Sequence, residues 1–166
     1  GGDGDGVGNL GGVVGVVFGA VGTAGQRCTS TRRLIIHESI YDSVKDKLIS
    51  AYGQIKIGNP LNESNHMGPL IDEDAVDMYL RAISKIKDCG QILVEGGRLS
   101  GDEYASDCYV KPMIAEVENH QKIVQTETFA PILYLMKYNT LGEAITIQNS
   151  VPQGLSSAIM TNNIRE

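Results

Sequence analysis

The sequence has no extended cluster of basic residues, and its longest is the pair Arg32-Arg33. The formal net charge is −6 at pH 7, and the acidic residues are scattered over the 166 positions. Proteins that bind DNA or RNA concentrate Lys and Arg in a patch, because phosphate contacts supply most of the affinity. The sequence therefore predicts no nucleic-acid partner.

Long apolar runs are also missing. A membrane-spanning helix needs about 18 or more consecutive apolar residues, and no stretch of this sequence approaches that length. The first residues have neither the basic segment nor the apolar segment of a secretory signal peptide. We therefore expect no membrane partner and a location inside the cell.

Cysteine is scarce: Cys28, Cys89 and Cys108 lie far apart and have no Cys-X-X-Cys spacing. This odd number and this spacing argue against a disulfide framework and against a structural zinc site, so we expect no bound metal. Such cysteine usage fits a reducing compartment, either the cytoplasm or the mitochondrial matrix. Cys89 and Cys108 lack a flanking cation and a glycine-rich loop, so both are predicted to be structural.

Glycine, by contrast, is abundant at the start of the chain. Residues 1–12 are dominated by glycine and are predicted to form a flexible lead-in, because ordering them costs much entropy. Residues 6–11 match the letters of a dinucleotide-binding fingerprint, but the match is weak because no strand precedes them. Residues 13–166 are predicted to form a single domain with a real core.

Apolar periodicity and turn signals divide this domain into alternating strands and helices. The predicted helices begin at Ser39 and Asp72 as N-caps, the second of them ending at Gly90. Pro112, within a predicted strand, favours an edge or a bulge there. Further helices are predicted at 13–24 and 141–148, and strands at 32–37, 91–95, 109–117, 132–138 and 155–161. This alternation predicts an α/β fold with a mostly parallel sheet and flanking helices.

The segment before the first strand carries the most reactive residue type in the chain. Residues 22–29 form a small-residue loop that presents Cys28 beside Arg27. A neighbouring positive charge and free backbone N–H groups favour the thiolate, which is the nucleophilic form of cysteine. The alternative is that Cys28 is a small buried hydrophobe. A Cys-His hydrolase is disfavoured, because His37, His66 and His120 lie on unrelated elements.

An acid and an aromatic ring lie two residues apart before another strand. In an extended segment Glu127 and Phe129 face the same side. A carboxylate and a ring on one face suit the ribose and the planar heterocycle of a nucleotide cofactor. The alternative is a solvated acid beside a core ring. Glu116 and Glu118 are predicted to be the solvated end of a strand.

Five segments, in this order and spacing, resemble the catalytic domain of the NAD(P)-dependent aldehyde dehydrogenase superfamily. They are residues 25–29 (Gly-Gln-Arg-Cys-Thr), 33–37 (Arg-Leu-Ile-Ile-His), 68–70 (Gly-Pro-Leu), 127–132 (Glu-Thr-Phe-Ala-Pro-Ile) and 154–157 (Gly-Leu-Ser-Ser). Residues 20–29 and 126–134, together with the Arg32-Arg33 pair, are most similar to the antiquitin branch of that superfamily.

The resemblance implies a function for each of these residues. Cys28 would be the catalytic nucleophile that oxidises an aldehyde to a carboxylic acid, with NAD, or NADP, as the cofactor. Glu127 and Phe129 would bind that cofactor. Gln26, Arg27 and Thr29 would bind substrate, Arg27 through the carboxylate of an amino-acid semialdehyde such as α-aminoadipic semialdehyde. The whole enzyme would be a homo-oligomer, either a dimer or a tetramer.

Several parts of the superfamily pattern have no counterpart in these 166 residues. They are the cofactor domain, the glutamate of a Glu-Leu-Gly-Gly segment that activates water, the asparagine that completes the oxyanion hole, and the oligomerisation segment. Residues 1–17 also depart from the family helix that precedes the nucleophile. Two hypotheses therefore remain: a catalytic domain that is active only with the rest of the enzyme, or a non-catalytic interaction module with the same fold.

Overall fold

The computed structural model describes residues 33–59, 61–118, 131–149 and 157–160. These residues form one five-stranded sheet, a small two-stranded sheet and helices packed against them. In chain order the elements are β1 (Arg33–His37), α1 (Tyr41–Tyr52), α2 (Glu73–Cys89), β2 (Gln91–Val94), β3 (Gly97–Arg98), β4 (Val110–Lys111), β5 (Met113–Glu116), β6 (Ile132–Tyr138), α3 (Leu141–Asn149) and β7 (Ser157–Met160).

The main sheet has the strand order β2-β5-β6-β1-β7. The pairs β5-β6, β6-β1 and β1-β7 are parallel, and only the pairing of β2 with β5 is antiparallel. The predicted α/β fold with a mostly parallel sheet and flanking helices is therefore confirmed. The predicted helix at 13–24 lies outside the described residues, and of the predicted strand at 155–161 the described part is β7.

Strand β1 lies between β6 and β7 in the main sheet. Leu34, Ile35 and Ile36 have no exposed surface, as expected for a strand that is covered on both faces. Leu34 and Ile36 belong to a large apolar cluster that includes the buried residues of α1 and α2. Ile35 packs in a second cluster with Tyr138 and with Ala144 of α3. Helices therefore cover both faces of the sheet.

Helix α2 begins and ends as the sequence predicts. The Asp72 carboxylate accepts a hydrogen bond from the backbone N–H of Ala75 at 2.8 Å, and thereby satisfies one free donor of the first turn. Gly90 follows the last turn in an extended conformation, so its role is not a left-handed turn. A Cβ at Gly90 would clash with the side chain of Val117, and the close packing of the helix end against that residue requires glycine.

The prediction that Ser39 caps α1 is wrong. The residue before the helix is Ile40, and no side chain caps it. The Ser39 hydroxyl lies instead 2.7 Å from Nδ1 of His37, two residues earlier. Short polar side chains often bond to a near neighbour in a turn in this way, which removes them from the helix end.

The strand predicted at 109–117 is interrupted at Pro112. Proline has no N–H to donate to a ladder, and the chain on its two sides joins different sheets. Strand β4 pairs with β3, whereas β5 enters the main sheet between β2 and β6. Pro112 therefore lies at a break between β4, an edge strand of the two-stranded sheet, and β5 of the main sheet. The single strand predicted at 109–117 is wrong, whereas the edge position that Pro112 favours is found in β4.

Candidate functional site

All six residues predicted to form the site lie outside the described residues: Gln26, Arg27, Cys28, Thr29, Glu127 and Phe129. The structure does describe the strands into which their segments lead. Strand β1 follows the segment that carries Cys28, β6 follows the segment that carries Glu127 and Phe129, and β7 begins at the last residue of the segment 154–157.

These three strands are neighbours and run in the same direction. Arg33, the first residue of β1, is the register partner of Tyr134 in β6 and of Ser157 in β7. Strand β6 begins at Ile132, and the backbone oxygen of Pro131 just before it accepts a hydrogen bond from the N–H of Met113 at 2.8 Å. These three strands begin at the same end of the sheet, at Arg33, Ile132 and Ser157, and we call this end the amino edge. All three predicted functional segments lead into the amino edge.

Arg33 is the buried charged residue of the amino edge. Its side chain has no exposed surface. The Nη1 atom donates to the backbone oxygen of Ile147 and the Nη2 atom to that of Gln148, each at 2.9 Å. These carbonyls belong to the last turn of α3, where helix oxygens lack intrahelical partners. Burial lowers the pKa of Arg33 from its usual value, and the carbonyl oxygens partly offset that cost of burial.

Sequence reasoning missed this role of Arg33. The sequence places Arg33 in a predicted strand, in the pair Arg32-Arg33 and at the start of the family-like segment 33–37, and none of these indicates its contact with α3. The available signal is a charged residue at the first position of a strand whose next three residues are apolar. A charge in that position requires a buried partner, but the sequence does not identify the helix end that supplies it.

The opposite side of the sheet, where β1, β5 and β6 end, we call the carboxyl edge; it is marked by His37, Glu116 and Tyr138. There the Tyr41 hydroxyl donates to the Glu116 carboxylate, and Nζ of Lys137 lies 4.5 Å from the centre of the Tyr41 ring. Burial, and then Glu116, raise the pKa of Tyr41. The prediction that Glu116 is solvated is therefore wrong: its carboxylate is half-buried and hydrogen-bonded.

A cavity of about 630 Å³ opens at the carboxyl edge. Its polar lining includes Cys89, Gln91, Glu116 and Lys137. Cys89 is half-buried and packs against the main core, as does Cys108, which agrees with a structural role for both. The Glu116 carboxylate already accepts the Tyr41 hydroxyl, so one of its oxygens is engaged within the protein.

The histidines of the described segments have local partners. His37 contacts Ser39, and Nδ1 of His66 accepts a hydrogen bond from the Lys56 N–H at 3.0 Å; His120 lies outside these segments. Across residues 33–59, 61–118, 131–149 and 157–160, no three His, Cys, Asp or Glu side chains come close enough to hold a metal ion. Within the same ranges no helix has the length and apolar character needed to cross a membrane.

The sequence is similar to a set of related proteins of greater length. It is 49% identical over 146 residues to aldehyde dehydrogenase family 7 member A1 of Pisum sativum, covering 88% of this chain and 28% of that protein. It is 46% identical over 149 residues to alpha-aminoadipic semialdehyde dehydrogenase of Bos taurus, covering 89% of this chain and 27% of that protein. The chain thus spans little more than a quarter of the length of these relatives.

Solved structures resemble the fold closely. A 1-pyrroline-5-carboxylate dehydrogenase from Thermus with bound NAD has a TM-score of 0.82 at 28% identity, over 95% of this chain and 30% of that one. A betaine aldehyde dehydrogenase from Staphylococcus aureus in complex with NAD⁺ has a TM-score of 0.85 at 28% identity, over 92% and 32%. The profile of the aldehyde dehydrogenase family matches residues 12–166. The chain therefore belongs to the aldehyde dehydrogenase family.

Proposed function

We propose that the protein, in its full natural length, oxidises an aldehyde to a carboxylic acid with Cys28 as the nucleophile and NAD(P) as the cofactor. One observation carries this proposal beyond family membership. The segments that hold Cys28, Glu127 and Phe129, together with residues 154–157, lead into three adjacent parallel strands at one edge of the sheet. The strands that follow these segments, which are distant in sequence, are therefore neighbours in the sheet.

The chemistry assigned to Cys28 is covalent. Its thiolate attacks the carbonyl carbon, a C–S bond forms, and the former carbonyl oxygen becomes an oxyanion that accepts a hydrogen bond from the Cys28 backbone N–H. NAD(P), when bound, supplies the hydride acceptor that makes oxidation of this adduct to a thioester possible. Water then attacks the thioester carbon, the C–S bond breaks, and the thiolate of Cys28 is restored as the acid leaves.

The residues proposed to hold the cofactor fit it chemically. The carboxylate of Glu127 accepts hydrogen bonds from a ribose diol, and the ring of Phe129 packs against a planar heterocycle. The hydrogen bond from Met113 to Pro131 continues the β5-β6 ladder to two positions after Phe129.

For the substrate we propose an amino-acid semialdehyde such as α-aminoadipic semialdehyde. The support is the similarity to the Bos taurus enzyme of that name and the chemistry of Arg27. A guanidinium binds a carboxylate through two parallel hydrogen bonds, which fixes both distance and orientation. Arg27 next to Cys28 would therefore hold the charged end of a substrate whose aldehyde lies at the thiol, and Gln26 and Thr29 would add polar contacts.

The test compares two cysteines of the full-length protein, with NADH formation from NAD and α-aminoadipic semialdehyde as the measurement. Cys28→Ala is expected to lower kcat by about 10³-fold or more, because it removes the nucleophile. Cys89→Ala, at the carboxyl edge, is the matched control and should leave kcat within about twofold of the wild type. Wild-type activity of the Cys28→Ala protein would refute the function.

A second candidate concerns the 166 residues taken by themselves. They contain no match to the water-activating glutamate or the oxyanion asparagine of the family, and they span little more than a quarter of their relatives. We propose that this piece alone turns over no aldehyde. Incubation with aldehyde and NAD should form no NADH in excess of the protein and release no acid, and sustained NADH formation would contradict this proposal.

A further inference from the structure

We propose that Arg33 is a positioning residue for Cys28. Its guanidinium fastens the start of β1 to the end of α3, and so fixes the point from which residues 29–32 connect to the nucleophile. This inference rests on the proposed function. It assigns no contact between Arg33 and the substrate.

The observed geometry makes Arg33 a two-point connection. Nη1 and Nη2 donate to carbonyls of consecutive residues, Ile147 and Gln148, at the same distance of 2.9 Å. Two parallel hydrogen bonds from a planar group fix orientation as well as distance. The Arg33 side chain is completely buried, although the helix end that it contacts is partly exposed, so replacing Arg33 would remove two donors that hold this helix end to β1.

Helix α3 needs a cation at this end. The carbonyl end of a helix carries a partial negative charge that favours a positive side chain in the last turn, and α3 has no basic residue in its own last turn. Arg33 of β1 supplies the charge from outside the helix. The start of β1 and the end of α3 are therefore coupled through one side chain.

This coupling acts on two of the segments that lead into the amino edge. Residues 29–32 connect Cys28 to Arg33, and residues 150–156 connect the end of α3 to β7, which pairs with β1. A shift of the guanidinium thus changes the starting point of both connections. A displacement of about 1 Å at a reacting group can lower the rate by 10²-fold. The contact of Arg33 with α3 can therefore affect catalysis, although Arg33 does not touch the reacting atoms.

The alternative is that Arg33 contributes only to stability. A stabilising residue lowers the unfolding temperature when it is replaced, but it does not alter the titration of a distant thiol in protein that remains folded. The apparent pKa of Cys28 is therefore the informative measurement. It is obtained from the pH dependence of alkylation by iodoacetamide, with the modified peptide quantified by mass spectrometry.

The experiment uses the full-length protein with Arg33→Met, Arg33→Lys and, as a control, Val44→Ala. Val44 is fully buried on α1, so its truncation lowers stability without touching the amino edge. Arg33→Met is expected to raise the apparent pKa of Cys28 by about one unit, a tenfold loss of thiolate at neutral pH, and to lower kcat by about tenfold or more. Cys89 alkylation in the same samples reports any global unfolding.

Arg33→Lys separates charge from geometry, because lysine keeps the charge but presents one nitrogen instead of a fork. We expect an intermediate pKa and kcat for this variant. A lysine variant equal to the wild type, a methionine variant with an unchanged Cys28 pKa, or an equal change in Val44→Ala would each overturn the positioning role. If Arg33→Met does not fold, the lysine variant decides alone. Full activity of Cys28→Ala would refute the proposed function instead, and leaves the Arg33 titration result to be judged separately.

Discussion

The two ends of the parallel strands differ in how their polar groups are used. At the carboxyl edge the Tyr41 hydroxyl donates to Glu116, and Lys137 lies over the Tyr41 ring, so these side chains stabilise one another. At the amino edge the described polar side chain is Arg33, which is bonded to the end of a helix. At the carboxyl edge, side chains contact one another, whereas at the amino edge the Arg33 side chain joins the start of β1 to the backbone at the end of α3.

This difference bears on where a ligand site is sought. In open α/β sheets ligands usually bind beyond the carboxyl ends of the strands, and the described cavity does open at that edge. The segments proposed to carry catalysis lead into the opposite edge. For this chain the general rule therefore favours a ligand site at the carboxyl edge, where the polar side chains already bond to one another. The proposed function favours a site at the amino edge.

After the loss of Cys28, the largest expected effect compares Arg27, the residue proposed to bind the substrate carboxylate, with Lys137 of the carboxyl edge. Arg27→Gln should lower kcat/KM for α-aminoadipic semialdehyde by about 30-fold, since about 2 kcal/mol of charge-assisted hydrogen bonding is lost, while propanal oxidation changes by less than about twofold. Lys137→Gln at the carboxyl edge should leave both substrates unaffected. Steady-state kinetics of the full-length protein measure this, and equal losses on both aldehydes would remove Arg27 from carboxylate binding.

A smaller effect is expected from the two carboxylates. Glu127→Gln should raise the KM for NAD by about tenfold, or about 1.4 kcal/mol, because the amide is a weaker acceptor for ribose hydroxyls. Glu116→Gln is the matched control at the carboxyl edge and should leave that KM unchanged. A rise in KM for the Glu116 variant alone would reverse the assignment of the two edges.

Alkaline pH should test the carboxyl edge through stability. The pKa of Tyr41 is raised in the folded state by burial and by Glu116, so the unfolded state loses its proton first. The stabilisation is complete below about pH 10 and declines above it at about 1.4 kcal/mol per pH unit. Tyr41→Phe should flatten the pH dependence of the unfolding free energy by about half of that slope at pH 10 and by nearly all of it at pH 11. An unchanged slope would show that Tyr41 ionises equally in both states.

The smallest expected difference is in the free energy of unfolding, between a variant of the helix cap Asp72 and a variant of Ser39, which caps no helix. Asp72→Ala should lower the free energy of unfolding by about 1 kcal/mol, because the Ala75 N–H loses its acceptor. Ser39→Ala, just beyond the carboxyl edge, should cost less than about 0.5 kcal/mol. Chemical denaturation of the two variants compares them directly, and a larger loss for Ser39 would restore it as a capping residue.

Local signals predicted much of this fold. Asp72 and Gly90 bound α2 where the apolar period begins and ends, and β6 has the predicted limits Ile132–Tyr138. Ser39 had an equally good local signal, but a neighbouring histidine took its hydroxyl. Local sequence defines which residues could cap a helix. Whether such a side chain bonds to the helix end or to another neighbour depends on distances in the folded protein.

Long-range pairings were beyond the sequence. Nothing in residues 33–37 indicates that β1 lies between β6 and β7, and nothing in α3 indicates that Arg33 covers its last carbonyls. Tyr41 and Glu116 are likewise far apart in the chain, and the acid was predicted to be solvated. The proposed site residues themselves were identified by resemblance to a family, and their positions stay predictions.

The position of β1 between β6 and β7 has a consequence for how the protein is made. Both of its partner strands lie about a hundred positions or more later in the chain, so during synthesis this strand, whose three middle residues are apolar, stays unpaired until they emerge. Non-local pairings of this kind form slowly, and an unpaired apolar strand is prone to aggregate. A premature stop before residue 132 would therefore deprive β1 of both neighbours and should yield insoluble protein, because the apolar residues Leu34, Ile35 and Ile36 would stay exposed.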